Sequence, residues 1–246
     1  MNAVEALDAA EGTTCVVGAG GKKTTMATLA HALERAVVTA TVRIPIFDDW
    51  VSRVFVTETP GEIVDEALAS DDGDWPLGVV PEREREDRYY GYELSKLDDL
   101  AARDVPILVK ADGARMRRLK APSTNEPRVP ESADTVVPIA SVHVVGEPLS
   151  DDLVHRVDEV SALTGLDPGD EIGAADLATV LASDEGGRKA VPPGATTIPL
   201  LNMVDDDTLK TTARDVAAEI HDRADVSRVV LAEMRADDPV VDVVRN

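Results

Sequence analysis

Residues 13–33 read T-T-C-V-V-G-A-G-G-K-K-T-T-M-A-T-L-A-H-A-L, and the fold of the chain turns on them. Thr13–Val17 is a short apolar strand, Gly18-Ala19-Gly20-Gly21 a glycine-rich turn, and the spacing after it predicts an amphipathic helix over about Lys23–Arg35. The glycines allow backbone angles and close approaches that a side chain would block. The turn's amides and the positive end of the helix then aim at one spot, which suits a phosphate. Either Lys22 or Lys23 can reach an outer phosphate, and the hydroxyl of Thr24 or Thr25 completes the stretch. The alternative reading is an ordinary strand–turn–helix connection.

The glycine spacing departs from the Walker A form G-x-x-x-x-G-K-[ST], because Gly21-Lys22 is followed by a second lysine and only then by Thr24. If Lys22 is the phosphate lysine, a lysine stands where the Mg²⁺-binding hydroxyl belongs. If Lys23 is, Lys22 stands where the last glycine belongs.

Working outward, 246 residues suffice for a buried core, and with no repeat or low-complexity linker a single domain over 1–246 is expected. No basic start with an apolar run suggests a signal peptide, and no stretch reaches transmembrane length, so a cytoplasmic location is expected. The lone Cys15 excludes an internal disulfide and reads as a small buried hydrophobe. The formal net charge of −22, with acidic pairs scattered along the chain, reads as a halophilic surface adapted to high salt. The same charge argues against nucleic-acid or anionic-membrane partners.

Strand patterns recur at Val37–Thr41, Leu77–Val80, Val105–Val109, Thr135–Ile139 (continuing through Val142–Val145), Thr196–Leu201 and Val226–Leu231. Helical patterns fall at Gly61–Ala69 with Thr59 as N-cap, Ser95–Arg103, Leu153–Thr164, Asp176–Ala182 and Asp207–Arg223. Asp71–Asp74 reads as a turn, Glu82–Arg88 as a solvated segment, and Tyr89–Tyr92 as a loop anchored on the core. This alternation predicts an α/β fold, a mostly parallel sheet with helices on both faces, of P-loop type. Its ligands are expected at the carboxyl ends of the strands, where the glycine loop, Thr39, Thr41, Asp112 and Asn202–Asp205 gather.

Asp112 follows a buried strand, the place for a Mg²⁺-coordinating carboxylate; a turn residue is the alternative. Lys110, Arg115, Arg117, Arg118, Lys120 and Arg128 lie within 19 residues, an unusual local inversion of charge in so acidic a chain. Residues 111–131 therefore read as an inserted basic and proline-rich functional loop, with Glu126 inside it. Asn202-Met203-Val204-Asp205 resembles the N-K-x-D element of GTP-binding proteins, with Met203 replacing lysine, which makes Asn202 and Asp205 candidates for base recognition. His155 has no Cys or His partners at ligand spacing, and no structural metal is expected.

Four stretches resemble the YqeC family, accessory proteins of selenium-dependent molybdenum hydroxylases: V-V-G-A-G-G-K-K-T-T (16–25), A-D-G-A-R-M-R-R-L-K-A-P-S-T-N-E-P (111–127), V-H-R (154–156) and L-L-N-M-V-D (200–205). The resemblance implies a nucleotide binder in molybdoenzyme maturation, with the molybdenum cofactor or a hydroxylase as partner. This chain departs from the family pattern at Lys23, Lys110 and Met203. The enzymatic reading binds ATP or GTP at Gly18–Thr25, with Mg²⁺ on Thr24 and Asp112 and with Lys22 neutralising the transferred phosphoryl group. Arg115, Arg118 and Lys120 would hold an anionic substrate, with Glu126, His155 and Arg156 beside them; Asp112 and Glu126 are the candidate bases. The competing reading is a nucleotide-gated binding protein with little turnover.

Overall fold

The buried residues of the first strand alternate: Cys15 and Val17 pack on one face of a sheet and Val16 on the other. A strand apolar on both sides needs helices above and below it, and the structure, a computed structural model, supplies them. It describes residues 1–70 and 74–246; Asp71, Asp72 and Gly73, most of the expected turn, lie outside the described residues.

In chain order the first half runs α1 (Ala3–Ala6), β1 (Thr13–Gly18), α2 (Lys22–Ala32), β2 (Val37–Ala40), β3 (Ile44–Pro45), β4 (Arg53–Val56), α3 (Pro60–Leu68), β5 (Leu77–Val80), β6 (Arg83–Arg85), β7 (Arg88–Tyr89) and α4 (Leu94–Leu100). The second half runs β8 (Ile107–Lys110), β9 (Leu119–Lys120), β10 (Thr135–Ser141), β11 (Val154–His155), α5 (Val157–Thr164), α6 (Ala174–Ala182), β12 (Thr196–Thr197), β13 (Leu200–Asn202), α7 (Asp207–Arg223), β14 (Arg228–Ala232) and β15 (Val240–Arg245). The large sheet has the order β15-β14-β13-β10-β1-β8-β2-β5-β4, with β12 beside β10. Its pairings are parallel except β14 with β15. The protein is thus α/β, with a large, mostly parallel sheet flanked by helices, an arrangement consistent with the P-loop type.

One face carries α1 and α2 over Val16, Val38, Leu108, Val137 and Val230. The other carries two clusters: α3 and α4 over Cys15, Val17, Ile107 and Val109, and α5–α7 over Ala140, Leu201, Val229 and Leu231. Cys15 is buried and its thiol pKa is pushed up by desolvation, in keeping with a packing role. Tyr89 and Tyr92 are buried anchors whose hydroxyls donate to Asp48 and to the Thr57 carbonyl. No helix among the described residues is long and apolar enough to cross a membrane.

Several expectations need correction. Helix α2 starts and ends earlier than its apolar pattern indicated, because the chain leaves the glycine turn directly into helix. A strand–helix–strand unit such as residues 13–41 normally pairs its two strands in parallel; here β1 and β2 are parallel but do not pair, since β8 lies between them and hydrogen-bonds to both. Val142–Val144 is a short 3-10 turn instead of a continued strand. Val154-His155 is a strand paired with Leu119-Lys120, so the helix there begins only at Val157. Glu82–Arg88 is largely exposed, as a solvated segment should be, but it is also ordered as a hairpin joined to β3. Thr59 precedes α3, but its hydroxyl donates to Glu62 and makes no backbone cap. The edge strands β4 and β15 escaped the pattern, since edge strands are half-wet and lack a continuous apolar signature.

Candidate functional site

Because β1 is flanked by β8 and β10, the glycine loop leaves the centre of the sheet between the ends of those two strands. Gly18 (φ 86°), Gly20 (φ 86°) and Gly21 (φ 138°) all hold backbone angles that favour glycine. At Gly20 a Cβ would lie 2.4 Å from the Ser141 amide nitrogen and 2.8 Å from the Arg118 carbonyl oxygen, so glycine also permits the close passage of two other segments.

The loop's amides divide into two sets. Gly18 N donates to Asp112 Oδ2 (2.9 Å), Ala19 N to the Ile139 carbonyl (2.8 Å) and Gly20 N to the Arg117 carbonyl (3.0 Å). Among the described residues, the amides of Gly21, Lys22, Lys23 and Thr24 have no intramolecular acceptor, as at the start of any helix. The sequence reading placed the whole loop around one anion; the structure leaves only its helical end free.

Beside that end lies a buried chain of alternating charges. Lys22 Nζ sits 2.8 Å from Asp112 Oδ1, an ionic contact, and also donates to the Gly18 carbonyl. Asp112 Oδ2 accepts from Lys120 Nζ at 2.8 Å. Lys120 Nζ further donates to the Gly113 carbonyl (2.5 Å) and to Glu126 Oε2 (2.6 Å), and Arg156 donates to that same Glu126 oxygen at 2.7 Å. Lys22 and Asp112 are 6% and 2% exposed, and the Lys120 side chain is fully buried. Burial alone would raise the Asp112 carboxyl, but Lys22 and Lys120 hold its pKa below the usual carboxylate range. Glu126 behaves alike: burial raises it, and Arg156 and Lys120 outweigh that. Burial lowers the Lys22 ammonium despite the opposing pull of Asp112.

Other candidates divide between this centre and its rim. Lys23 is exposed and Thr24 half-buried, whereas the buried Thr25 hydroxyl has no hydrogen-bond partner among the described residues. The Thr39 and Thr41 hydroxyls donate to the Val79 and Arg128 carbonyls. Asn202 is buried: its Nδ2 donates to the Gly20 carbonyl (2.8 Å) and its Oδ1 accepts from Met234 N (3.1 Å), so its side chain tethers the glycine loop to the segment after β14. Asp205 is exposed, 2.8 Å from His143 Nε2. Arg115 and Arg118 are exposed.

Of the residues expected to hold Mg²⁺, Asp112 takes hydrogen bonds from Lys120 and the Gly18 amide on Oδ2, while its buried Oδ1 has the Lys22 ammonium at 2.8 Å and no hydrogen-bond partner among the described residues. Among the described residues no group of three His, Cys, Asp or Glu side chains is arranged to hold a metal ion.

Sequence reasoning missed the role of Lys110. Its Nζ is buried and donates to the Arg43 carbonyl (2.8 Å). Burial, then repulsion from Lys22, brings its pKa down to about 7; Lys120 adds to this, and Asp112 and Glu126 oppose it. A lysine at the end of the apolar run Ile107-Leu108-Val109 was the available signal.

Fold and site together define an α/β protein whose glycine loop joins a central strand to a helix at the carboxyl edge of the sheet. A family model described as YqeC protein matches residues 14–158. The chain is also 30% identical, over 196 residues, to the uncharacterized protein YqeC of Escherichia coli (strain K12), an alignment spanning 76% of this chain and 74% of that protein. The chain belongs to the YqeC family. No solved structure matches it.

Two outcomes test this geometry. Asn202→Ala is expected to destabilise the fold by about 1–3 kcal/mol in urea titration, because it strands a buried carbonyl and a buried amide; an unchanged midpoint would remove the tether. For Lys110, the unfolded side chain titrates near ~10.4 and the folded one at about 7. Between those values the unfolded chain holds the extra proton, so wild-type stability rises with pH across that window, and below it the buried charge costs a constant amount. Lys110→Met should therefore raise the melting temperature most at about pH 6 and progressively less toward pH ~10; an equal effect at both ends would exclude the buried charge as the cause.

Proposed function

We propose that this protein binds a nucleoside triphosphate, ATP or GTP, with its phosphates at the start of α2. We further propose that the bound state serves the maturation of a molybdenum hydroxylase, the role that the family resemblance implies. The observation that carries the nucleotide reading is the convergence at that helix start. Among the described residues, four amides without acceptors, from Gly21 to Thr24, lie beside a buried lysine whose one ion-pair partner is Asp112. A phosphate entering there meets the helix dipole, the free amides and an ammonium group within one turn of chain.

Gating is favoured over rapid turnover. The two carboxylates near the loop, Asp112 and Glu126, are both held by cations and kept below the usual carboxylate range. A general base works best with a pKa near the operating pH, so neither is suited to activate a nucleophile. The Lys22–Asp112 contact instead gives the loop two states, one with Lys22 on Asp112 and one with Lys22 on phosphate. Asp112 keeps Lys120 and the Gly18 amide in both. A nucleotide that binds the second state more tightly shifts the population toward it.

On the base side, Asn202 is committed to the loop, which leaves Asp205 as the recognition residue. Calorimetry in concentrated KCl with ATP and GTP checks both parts. Lys22→Ala is expected to weaken nucleotide binding by tenfold or more, about 1.4 kcal/mol, while the melting curve stays cooperative; undiminished affinity would sink the nucleotide site. Asp205→Ala is expected to narrow the preference between GTP and ATP, and an unaltered ratio would mean that Asp205 does not read the base.

A further inference from the structure

Arg115, Arg117 and Arg118 form no ion pair among the described residues, although the chain carries 47 acidic residues against 25 Lys and Arg. They do not sit on a loose tail. The Arg117 carbonyl accepts from Gly20 N (3.0 Å), the Arg118 carbonyl from Ser141 N (3.0 Å), and Arg118 N donates to the Leu153 carbonyl (2.8 Å). Arg115 (φ 46°) and Met116 (φ 62°) are held in left-handed backbone, and Met116 is 88% exposed. Left-handed backbone is costly for residues other than glycine, and such strain gathers where a surface is built for contact.

Facing this turn is the pair His155-Arg156. Arg156 is a third left-handed residue (φ 68°) and reaches Glu126 through one guanidinium nitrogen, which leaves its other donors without an acceptor among the described residues. The pairing of Val154-His155 with Leu119-Lys120 sets His155 beside the arginine turn, and its pKa is brought down to about 4, first by burial and then by the fields of Arg156, Lys120 and Arg115. Lys120 contributes field only, because its ammonium is committed to Asp112, Gly113 and Glu126. With Asp112 also matched by Lys22, Glu126 is left against Lys120 and Arg156, and the unpaired Arg115 adds to a positive balance.

We propose that Arg115, His155 and Arg156, flanked by Arg118, form a second oxyanion site for a phosphate-class group, adjacent to the glycine loop and distinct from it. Guanidinium groups grip phosphate oxygens in pairs, and a neutral imidazole adds one N–H donor. The group is carried either by a phosphorylated small molecule or by free phosphate. The site is argued from its own charges and stands without the nucleotide reading. The Arg117–Gly20 hydrogen bond places the two sites back to back on one piece of backbone.

Equilibrium dialysis at constant high ionic strength, with labelled inorganic phosphate in one arm and glycerol 3-phosphate in the other, tests the proposal. The wild type is expected to hold two equivalents of at least one probe. Arg115→Ala, and Arg115→Asn as a variant that tolerates left-handed backbone, should each lose one through a drop of about tenfold or more in affinity at the second site. Lys22→Ala should lose the other. Tighter binding of the ester marks a phosphorylated molecule as the ligand, and tighter binding of inorganic phosphate marks the free ion. Two equivalents retained in both Arg115 variants would overturn the second site. So would a single wild-type equivalent lost only in Lys22→Ala, an outcome that leaves the nucleotide reading intact. A single equivalent lost only in the Arg115 variants would support the second site and remove phosphate binding at the glycine loop.

Discussion

The carboxylate of Asp112 lies between two buried ammonium groups and the first amide of the glycine loop, and the geometry around it depends on that arrangement. A buried carboxylate without partners would be costly or would take up a proton. Here Lys120 and Gly18 N hydrogen-bond Oδ2, and the Lys22 ammonium offsets the charge at Oδ1 through an ionic contact. Because those partners come from α2, β9 and the end of β1, one side chain fixes three elements that are separate in sequence. The strand order makes this possible, since β8 delivers Asp112 directly beside the strand that launches the loop.

The same contact helps to hold the loop. Three of its amides are satisfied internally and Asn202 ties its carbonyl side to the far half of the sheet, so the backbone is held open. Lys22 has Asp112 and the Gly18 carbonyl as its partners among the described residues, and under the proposed function its ammonium is the group that would turn to a bound phosphate. The Lys120 ammonium is fully buried and committed to three acceptors. Two lysines that look equivalent in composition therefore differ in their commitments, Lys120 to three acceptors and Lys22 to two.

Charge economy gives the site its character within so acidic a chain. Exposed carboxylates are screened by salt and interact weakly with one another. At the carboxyl edge of the sheet, Lys22, Lys110, Lys120 and Arg156 face Asp112 and Glu126 in a partly dry environment, where like charges are felt more strongly. Burial is the main cause of the depressed Lys110 pKa, and repulsion from Lys22 and Lys120 adds to it.

Local pattern by itself determined the fold class, most of the helices and the central strands, and it singled out the glycine loop and Asp112. Those features follow from short-range chemistry: runs of β-branched residues, glycines where side chains do not fit, and an aspartate at the end of a buried strand. Only the tertiary structure decided that β8 would separate β1 from β2, because strand order depends on contacts between residues about a hundred positions apart. It likewise decided that Asn202 would hold the loop, that Lys120 would be committed internally, and that Val154-His155 would form a strand with Leu119-Lys120. A side chain's partners are set by three-dimensional neighbours, and charge and spacing along the chain do not reveal whether an ammonium group faces solvent or a buried carboxylate.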